Sequence, residues 1–339
     1  MMIPPKWREV YYLSGTITLQ RLWNWIKQEI SYPLSNWTKE PLLWSYPSSF
    51  SLEPTNYCNL NCPECPAGAL EMKRDKGFIS PQVYVPVIDQ LAEHAMYLIL
   101  YFQGEPFLHP QIFDIIQYAR SKKLYVMIST NGHYLDKEKS HQLVNSGLHK
   151  LIVSLDGADQ EAYEAYRKGG DINKVVQGIE NVVEAKKQLN SRKPLIELQF
   201  LVLKTNEHQM EEVKRLSKKL NVDRLALKTA QIYNFKNGSP YIPETDKYSR
   251  YQKNDSGEYE IKMQMKNRCY RMWSGCVVTF DGYIVPCCFD KDASYAMGNI
   301  RDRSFKDIWK DENYRSFRKQ ILTNRKGIDM CRNCTEGLK

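Results

Sequence analysis

The sequence predicts an α/β protein, a partial (β/α)6 TIM-like barrel followed by a small C-terminal domain made of a hairpin and a helix. Strand-like apolar runs alternate with helical segments from Phe50 to about Lys228, which is typical of parallel βαβ units. Six such units are too few for a closed eight-stranded barrel, so we expect an open or partial one. Cysteines return from Cys269 onward, beside the hairpin signal Asp281-Gly282.

Composition limits the class of protein. A chain of 339 residues with 42% hydrophobic residues can hold one large domain and a smaller module. The longest apolar run, Met96 to Phe102, is far shorter than the ~20 residues of a membrane span, and the N-terminus lacks a secretory h-region. We therefore expect a cytoplasmic protein without a membrane span, in which nine cysteines serve metal binding or catalysis rather than disulfides.

Residues 1–49 are expected to form an N-terminal arm. A helix is predicted from about Thr16 to Ser31, with one apolar face. This face could bind a membrane surface or a partner, or it could pack on the main domain. Few basic residues lie on the polar face, which favours packing on the main domain. The residues of the predicted apolar face are Ile17, Leu22, Trp23, Ile26 and Ile30.

The barrel is expected over residues 50–228. Ser80-Pro81 marks one helix start, and Gly147 follows the end of another helix. The predicted strands are Ser49–Glu53, Met96–Phe102, Leu124–Ser129, Lys150–Leu155, Ile196–Leu203 and Arg224–Leu227. The predicted helices are Pro81–His94, Pro110–Lys122, Asp136–Ser146, Asn173–Leu189 and Glu207–Leu220.

The remaining residues form a connector, 229–268, and a C-terminal domain, 269–339. Turn signals such as Asp255-Ser256-Gly257 indicate the connector. In the C-terminal domain, Asp281-Gly282 predicts a type I′ hairpin turn, with positive φ at both residues. A helix is predicted near Ser304 to Leu322.

Three cysteines follow the first predicted strand in a C-x3-C-x2-C loop: Cys58, Cys62 and Cys65. A short irregular loop can bring three thiols to one inorganic cluster. A cubane has four irons, so three protein ligands leave one iron open, as in a catalytic site. The alternative is a zinc knuckle, but the window from Phe50 to Gly77 contains no His or fourth Cys.

Polar residues and glycines follow three successive strands of the predicted barrel. These segments are Gln103-Gly104-Glu105-Pro106, Thr130-Asn131-Gly132 and Asp156-Gly157. A βα architecture places its ligand at this end of the strands. Glycine lets backbone approach a ligand closely, and a carboxylate can bind an amine or a ribose.

The loop and the strand ends together resemble the radical S-adenosylmethionine (SAM) superfamily. The resemblance implies that the open iron binds SAM and that reduction releases a 5′-deoxyadenosyl radical. Gly104 and Glu105 match the segment that binds the methionyl amino group, and Ser129 and Asn131 match a ribose-contacting position. Ser154 and Arg167 match residues that hold the ribose or carboxylate in some relatives.

Two positions depart from the family pattern. Glu64 stands where an aromatic residue is usual, and Gln103 stands where another glycine is usual. Both departures concern details of the adenine and methionine contacts.

The C-terminal cysteines resemble a twitch domain, the shortened form of the SPASM domain, which carries one auxiliary [4Fe-4S] cluster. The resemblance implies four ligands, Cys269, Cys287, Cys331 and Cys334, with Gly282 at the family's interval before Cys287. A structural zinc site is the main alternative for this set. Two further thiols, Cys276 and Cys288, could each replace a neighbouring ligand or be small buried hydrophobes.

The resemblance implies a radical SAM enzyme with a second cluster. The single-cluster layout is similar to that of the 2-deoxy-scyllo-inosamine dehydrogenases, which favours oxidation of a small polar, sugar- or aminocyclitol-like substrate. Modification of a peptide or protein side chain is the alternative, and an electron donor such as flavodoxin or ferredoxin is expected. A zinc-stabilised nucleic-acid-binding module is disfavoured, because the positive residues from Arg301 to Lys326 alternate with acidic ones, despite a net charge of +9.

Overall fold

A computed structural model of the protein describes residues 5–68 and 72–335. The helices are α1 (Pro5–Ser14), α2 (Leu19–Thr38), α3 (Pro81–Ala92), α4 (Ile112–Ser121), α5 (Lys137–Asn145), α6 (Gln160–Tyr166), α7 (Ile172–Gln188), α8 (Met210–Lys219), α9 (Arg271–Ser274), α10 (Phe305–Lys310) and α11 (Glu312–Asn324). The strands are β1 (Ser49–Leu52), β2 (Tyr97–Ile99), β3 (Tyr125–Thr130), β4 (Lys150–Ser154), β5 (Leu195–Val202), β6 (Arg224–Thr229), β7 (Tyr251–Lys253), β8 (Tyr259–Ile261), β9 (Gly275–Val278), β10 (Tyr283–Val285) and β11 (Gly298–Asn299).

One nine-stranded sheet organises the molecule, in the order β11-β10-β9-β1-β2-β3-β4-β5-β6. Strands β1 to β6 are parallel and follow chain order, and helices connect them. Within the described residues the end strands β6 and β11 are not paired with each other, so the sheet does not close. The predicted fold class, an α/β protein with a partial barrel, is confirmed.

The two faces of the sheet differ in chemistry. Residues such as Phe50, Leu98 and Leu198 are buried in the main apolar core, together with helix residues. The alternating positions, which point to the other face of a strand, include Ser51, Ser129, Ser154, Glu197 and Gln199. Burying each large apolar side chain stabilises the fold by about 1.5–3 kcal/mol, so the core fixes the register and leaves a polar inner face.

Strand β9 joins the C-terminal domain to the barrel. It pairs in parallel with β1, with Phe50 opposite Cys276, while β10 and β11 extend the sheet in antiparallel fashion. An ion pair supports the same junction: the Arg74 guanidinium donates to both Glu53 carboxylate oxygens at 2.6 and 2.8 Å. Glu53 also accepts from the Phe280 N–H at 3.1 Å.

Helix α2 packs on the domain through the face opposite to the one predicted to be buried. Helix α2 is longer than predicted, beginning after the N-cap Thr18 and ending at Thr38. Its buried residues are polar or amphipathic: Arg21, Asn24, Gln28, Ser31, Tyr32 and Ser35. Four of the five residues predicted to pack on the domain, Ile17, Leu22, Trp23 and Ile30, are exposed, and Ile26 is half-buried.

The polar face of α2 is buried because it donates hydrogen bonds to carbonyl groups at the ends of the neighbouring helices α3 and α4. The Arg21 guanidinium donates to the carbonyls of Ala92 and Lys122 at 2.6 and 2.8 Å, and to that of Lys123 at 2.8 Å. The Asn24 amide donates to the Tyr46 carbonyl and accepts from its N–H at 3.0 and 2.8 Å. The polar face therefore satisfies backbone groups that no helix can satisfy internally.

Other differences concern short elements. Helix α6 was not predicted, because its seven residues are too few to show a period, although Asp159 caps it through the Ala162 N–H at 2.9 Å. Helix α1 and strands β7 and β8 were also not predicted; the signal Asp255-Ser256-Gly257 is the turn between these strands. The predicted C-terminal helix is two helices, because Asp311 is extended and caps α11.

The hairpin β9–β10 was predicted, but its turn was assigned wrongly. The Gly282 N–H donates to the Thr279 carbonyl at 3.0 Å, so Phe280 and Asp281 are the central residues. Gly282 has a positive φ of +93°, whereas the φ of Asp281 is not positive. Gly282 therefore follows a type I turn as a left-handed residue. Within the described residues, no helix is long and apolar enough to cross a bilayer.

Candidate functional site

All nine residues predicted for the catalytic cluster and for SAM line one cavity. It has a volume of about 130 Å³ and lies at the carboxyl ends of the barrel strands. The cavity is lined by Cys58, Leu60, Cys62, Cys65, Tyr101, Phe102, Gly104, Glu105, Ser129, Thr130, Asn131, Ser154 and Arg167. The structure thus brings together side chains that are more than 100 residues apart in sequence.

The cysteine loop is held by its own turns. The Cys65 N–H donates to the Cys62 carbonyl at 3.1 Å, and the Gly68 N–H donates to the Cys65 carbonyl at 3.0 Å. A Cβ on Gly68 would lie 2.6 Å from the Cys62 nitrogen, so only glycine fits this fold of the loop. The Asn61 N–H reaches the Lys168 carbonyl at 3.0 Å, which ties the loop to the end of the α6 crossover.

Gly104 permits a close approach between two backbone segments, and its place in the segment that binds the methionyl amino group stays a prediction. The residue has φ +73°, and a Cβ there would lie 2.5 and 2.6 Å from the carbonyl oxygens of Thr55 and Tyr57. The neighbouring Glu105 N–H donates to the same Tyr57 carbonyl at 2.7 Å. The close approach is therefore to the backbone that enters the cysteine loop, and it sets the distance between that loop and the end of β2.

The Glu105 carboxylate is fully buried and accepts hydrogen bonds from three groups of the protein. One oxygen accepts from the Thr130 hydroxyl and the Phe107 N–H at 2.7 and 3.1 Å, and the other accepts from the Asn131 N–H at 2.7 Å. Burial raises the pKa of Glu105, and these hydrogen bonds oppose the rise. Its carboxylate fixes the ends of β2 and β3; its contact with the methionyl amino group stays a prediction.

Two N–H donors point toward the loop sulfurs. Arg167 Nη1 lies 3.9 Å from Cys62 Sγ, while its Nε donates to the buried Asp156 carboxylate at 2.6 Å. Asn131 Nδ2 lies 4.0 Å from Cys58 Sγ and donates to the Asn59 side chain at 2.8 Å. These groups place a cation and an amide dipole where negative sulfur would be stabilised.

Burial determines the protonation of the loop thiols. It raises the pKa of Cys58 to about 12. It also raises the pKa of Cys62, although the Arg167 guanidinium opposes that rise. The raised pKa values keep these two thiols protonated at neutral pH, and metal binding would displace the protons. Three thiols around one cavity with N–H donors beside two of them form a donor set that fits an iron–sulfur cluster.

The sequence analysis missed part of the cavity wall. Tyr101 lies two residues after the end of β2, and Thr130 is the last residue of β3. Burial raises the pKa of Tyr101 to about 12, so its hydroxyl is a hydrogen-bond donor at neutral pH. Period-two alternation from Ile99 could have identified Tyr101, since both residues project to the inner face.

Three of the four predicted C-terminal ligands, Cys269, Cys331 and Cys334, interact with Arg325, and Cys287 interacts with Cys269. The Arg325 guanidinium donates to Cys334 Sγ at 3.4 Å. Although burial lowers the pKa of Arg325, the Cys269, Cys334 and Cys331 sulfurs hold it above its usual value. A hydrogen bond with Cys288 and then burial raise the pKa of Cys287, and Cys269 adds to the rise. Their assignment as ligands stays a prediction.

The two remaining thiols line one cavity together with Cys287. Cys276 is buried in β9 and interacts with Arg318 and Tyr314. The Cys288 sulfur accepts from Arg271 Nη1 at 3.7 Å and lines a cavity of about 260 Å³ with the inner-face residues Ser49 and Ser51. Within residues 5–68 and 72–335, no group of three or more His, Cys, Asp or Glu side chains has the arrangement of a metal-ion site.

Two family models match the chain. Residues 52–216 match the model described as "Radical SAM superfamily", and residues 269–335 match SPASM, an "Iron-sulfur cluster-binding domain". The first match contains the cysteine loop and the cavity residues, and the second contains the four predicted C-terminal ligands. Both matches agree with the resemblance seen in the motifs.

Individual proteins resemble the chain over most of its length. It is 25% identical over 316 residues to the tungsten-containing aldehyde ferredoxin oxidoreductase cofactor-modifying protein of Pyrococcus furiosus, covering 84% of this chain and 86% of that protein. It is 25% identical over 284 residues to the PqqA peptide cyclase of Gluconobacter oxydans, covering 78% and 77%. The solved structure of BtrN in complex with AdoMet and 2-DOIA superposes with a TM-score of 0.54 at 19% identity, covering 86% of this chain and 94% of that one.

Proposed function

We propose that this chain, a radical SAM enzyme with a C-terminal SPASM-type iron–sulfur domain, oxidises a small polar substrate of the sugar or aminocyclitol kind. The radical SAM domain binds SAM and a [4Fe-4S] cluster, and the SPASM domain binds auxiliary iron–sulfur clusters. When bound, these groups supply a hydrogen-abstracting 5′-deoxyadenosyl radical and an acceptor for the second electron of the oxidation.

The observation that carries the proposal is the convergence of the cysteine loop and the strand-end residues on one cavity. In the proposal, Cys58, Cys62 and Cys65 hold the catalytic cluster, and Arg167 and Asn131 donate toward the sulfurs. Glu105 and Gly104 hold the strand ends against the loop, which keeps the geometry of the thiols fixed.

The inner face of the barrel supports a polar substrate. Hydroxyl groups of Ser49 and Ser51 line the cavity of about 260 Å³, and the phenol of Tyr101 lines the cavity at the strand ends. Such groups can donate to and accept from the hydroxyls of a sugar-like molecule, whereas an apolar substrate would leave them unsatisfied. In the proposal, substrate specificity comes from hydrogen-bonding groups on β1 and directly after β2.

Tyr233 connects the first site with the C-terminal cysteine segment. The charges of both Cys65 and Cys288 act on the Tyr233 hydroxyl, so this residue lies between the loop and the C-terminal cysteine segment. In the proposal, Cys269, Cys287, Cys331 and Cys334 hold an auxiliary cluster that receives the electron lost by the substrate. An electron donor such as flavodoxin or ferredoxin would reduce the catalytic site.

The test uses anaerobically reconstituted protein and measures iron, sulfide and 5′-deoxyadenosine after addition of dithionite and SAM. We expect about eight irons per chain in the wild type and about four in the triple variant C58A/C62A/C65A, which should form no nucleoside. The matched control is Cys276→Ala, which removes a buried thiol that belongs to neither predicted ligand set and should keep about eight irons. Unchanged nucleoside output in the triple variant would refute the site assignment.

Substrate class is tested separately with deuterated compounds. Transfer of deuterium from a carbinol position of an aminocyclitol or sugar into 5′-deoxyadenosine would support the proposal. Transfer only from a peptide would favour the second candidate, modification of a peptide side chain, which the similarity to a PqqA peptide cyclase supports.

A further inference from the structure

We propose that the outward face of α2 is an interfacial membrane-binding surface that lies on an anionic lipid bilayer. We call it the outer face of α2, and it consists of Leu19, Trp23, Ile26, Ile30, Pro33 and Trp37. The proposal is independent of the reaction, because this helix contributes no residue to either thiol group or to the cavity at the strand ends.

The residues of the outer face are spaced by four and three residues in turn, so they form one continuous stripe on a helix. Leu19 is 88% exposed, Trp37 82%, Trp23 57% and Ile30 49%. The 20-residue helix is about 30 Å long, which makes the stripe much larger than a single exposed apolar side chain. A soluble surface normally places such a stripe against the core.

The orientation of the helix is enforced by its buried side. Arg21 donates to the Thr16, Ala92, Lys122 and Lys123 carbonyls. Ser35 adds a hydrogen bond to the Ser31 carbonyl, and its hydroxyl accepts from the Leu42 N–H at 2.9 Å. Turning the helix over would leave these buried polar groups unsatisfied, so the exposure of the apolar stripe is fixed by the fold.

Composition and charge favour a lipid surface as the occupant. Tryptophan is enriched at membrane–water interfaces, where an amphipathic helix lies with its apolar face in the acyl boundary. The Lys27 ammonium lies 5.6 Å from the Trp23 ring centroid, at the margin of the stripe, and Lys39 follows the helix. The single acidic residue from Leu19 to Lys39 is Glu29, which accepts a hydrogen bond from the Tyr270 hydroxyl. Lys27 and Lys39 are therefore available to contact anionic headgroups, while Glu29 accepts from Tyr270 and Glu40 is paired with Lys319.

A second copy of the chain fits the outer face less well. Its spacing matches a coiled-coil seam, but such seams are filled by Leu, Ile and Val knobs that fit small holes. Two of the six positions are tryptophans and one is Pro33, which lacks an N–H and distorts a helix. A fluid bilayer accommodates these shapes without a matching surface.

The test is flotation of full-length, cluster-loaded protein with vesicles of phosphatidylcholine alone or with about one third phosphatidylglycerol. We expect the wild type to float with the anionic vesicles. The double variant W23Q/W37Q should bind them at least about tenfold more weakly. The matched control L189Q/M263Q, which changes two exposed apolar residues elsewhere, should bind like the wild type.

Charge is tested with Lys27→Glu, which should weaken binding to anionic vesicles, whereas Lys187→Glu, on the exposed side of α7, should not. Absence of wild-type flotation would overturn the proposal, and so would equal flotation of W23Q/W37Q. A Trp-dependent dimer in sedimentation, without vesicle binding, would assign the outer face of α2 to a second copy instead. Nucleoside formation in detergent-free buffer should be the same in all these variants, so failure here is distinguishable from failure of the proposed reaction.

Discussion

Replacing Gly104 by alanine tests whether close backbone contact positions the cysteine loop. The left-handed φ of +73° costs a non-glycine residue about 1–2 kcal/mol. The added Cβ would also lie 2.5 and 2.6 Å from the Thr55 and Tyr57 carbonyl oxygens. Both are backbone atoms that cannot rotate away, so overpacking adds about 1–3 kcal/mol. We expect a total loss of about 2–5 kcal/mol in unfolding free energy.

The matched control is Gly257→Ala. Gly257 has a similar φ of +80°, and a Cβ there meets no atom within 4 Å. This variant should lose only the conformational part, about 1–2 kcal/mol. The difference between the two variants therefore isolates the contact between the end of β2 and the segment that enters the loop.

The assay is urea unfolding of both variants under anaerobic conditions, together with iron content and 5′-deoxyadenosine formation. Gly104→Ala should bind less iron and form nucleoside at least about tenfold more slowly, because a shifted loop misplaces the thiols. Gly257→Ala should keep wild-type iron and activity. Equal unfolding midpoints for the two variants, or a full complement of iron in Gly104→Ala, would refute the reasoning.

Two further predictions concern buried charged or titratable groups. Arg325→Met removes the cation beside Cys334, so iron should be lost to a chelator about tenfold faster than in the wild type, as expected for loss of a charge-assisted hydrogen bond; the exposed Arg332→Met should behave like the wild type, and equal rates in both would contradict the assignment. Burial lowers the pKa of His149 to about 2, so the folded state excludes a proton that the unfolded state binds below about 6.5. Stability should therefore fall by about 2 kcal/mol between about pH 7 and pH 5 because of this group. In urea unfolding at both pH values, His149→Phe should reduce that fall while the exposed His208→Phe should not; an unchanged pH dependence in His149→Phe would exclude this histidine as the cause.

The sequence predicted the barrel because its signals are strong and local. Buried runs such as Lys150 to Leu155 can pack only as core strands, and glycines or prolines separate them from helices. The cysteines predicted for the catalytic cluster were identifiable for a similar reason, since one short loop carries all three. The residues predicted at the strand ends line the cavity because parallel strands all present the same end to it.

Other features depend on contacts that no local pattern records. The role of Gly104 follows from carbonyls almost fifty residues earlier in the chain. Helix α2 shows a clear apolar stripe, and the usual inference buries that stripe. Here the carbonyls near Ala92 and Lys122 attract the opposite face, and sequence spacing cannot reveal such partners. Short elements such as α6 lack enough residues to show a period.

The pairing of β9 with β1 has a consequence for the biogenesis of the protein. The strand that leads into the cysteine loop gains its second neighbour only from residues 275–278, more than two hundred positions later. During translation β1 therefore remains an open sheet edge, and contacts between such distant segments form slowly. The cysteine loop reaches its final support late in folding, so we expect a cluster to be inserted there only after synthesis of the C-terminal domain.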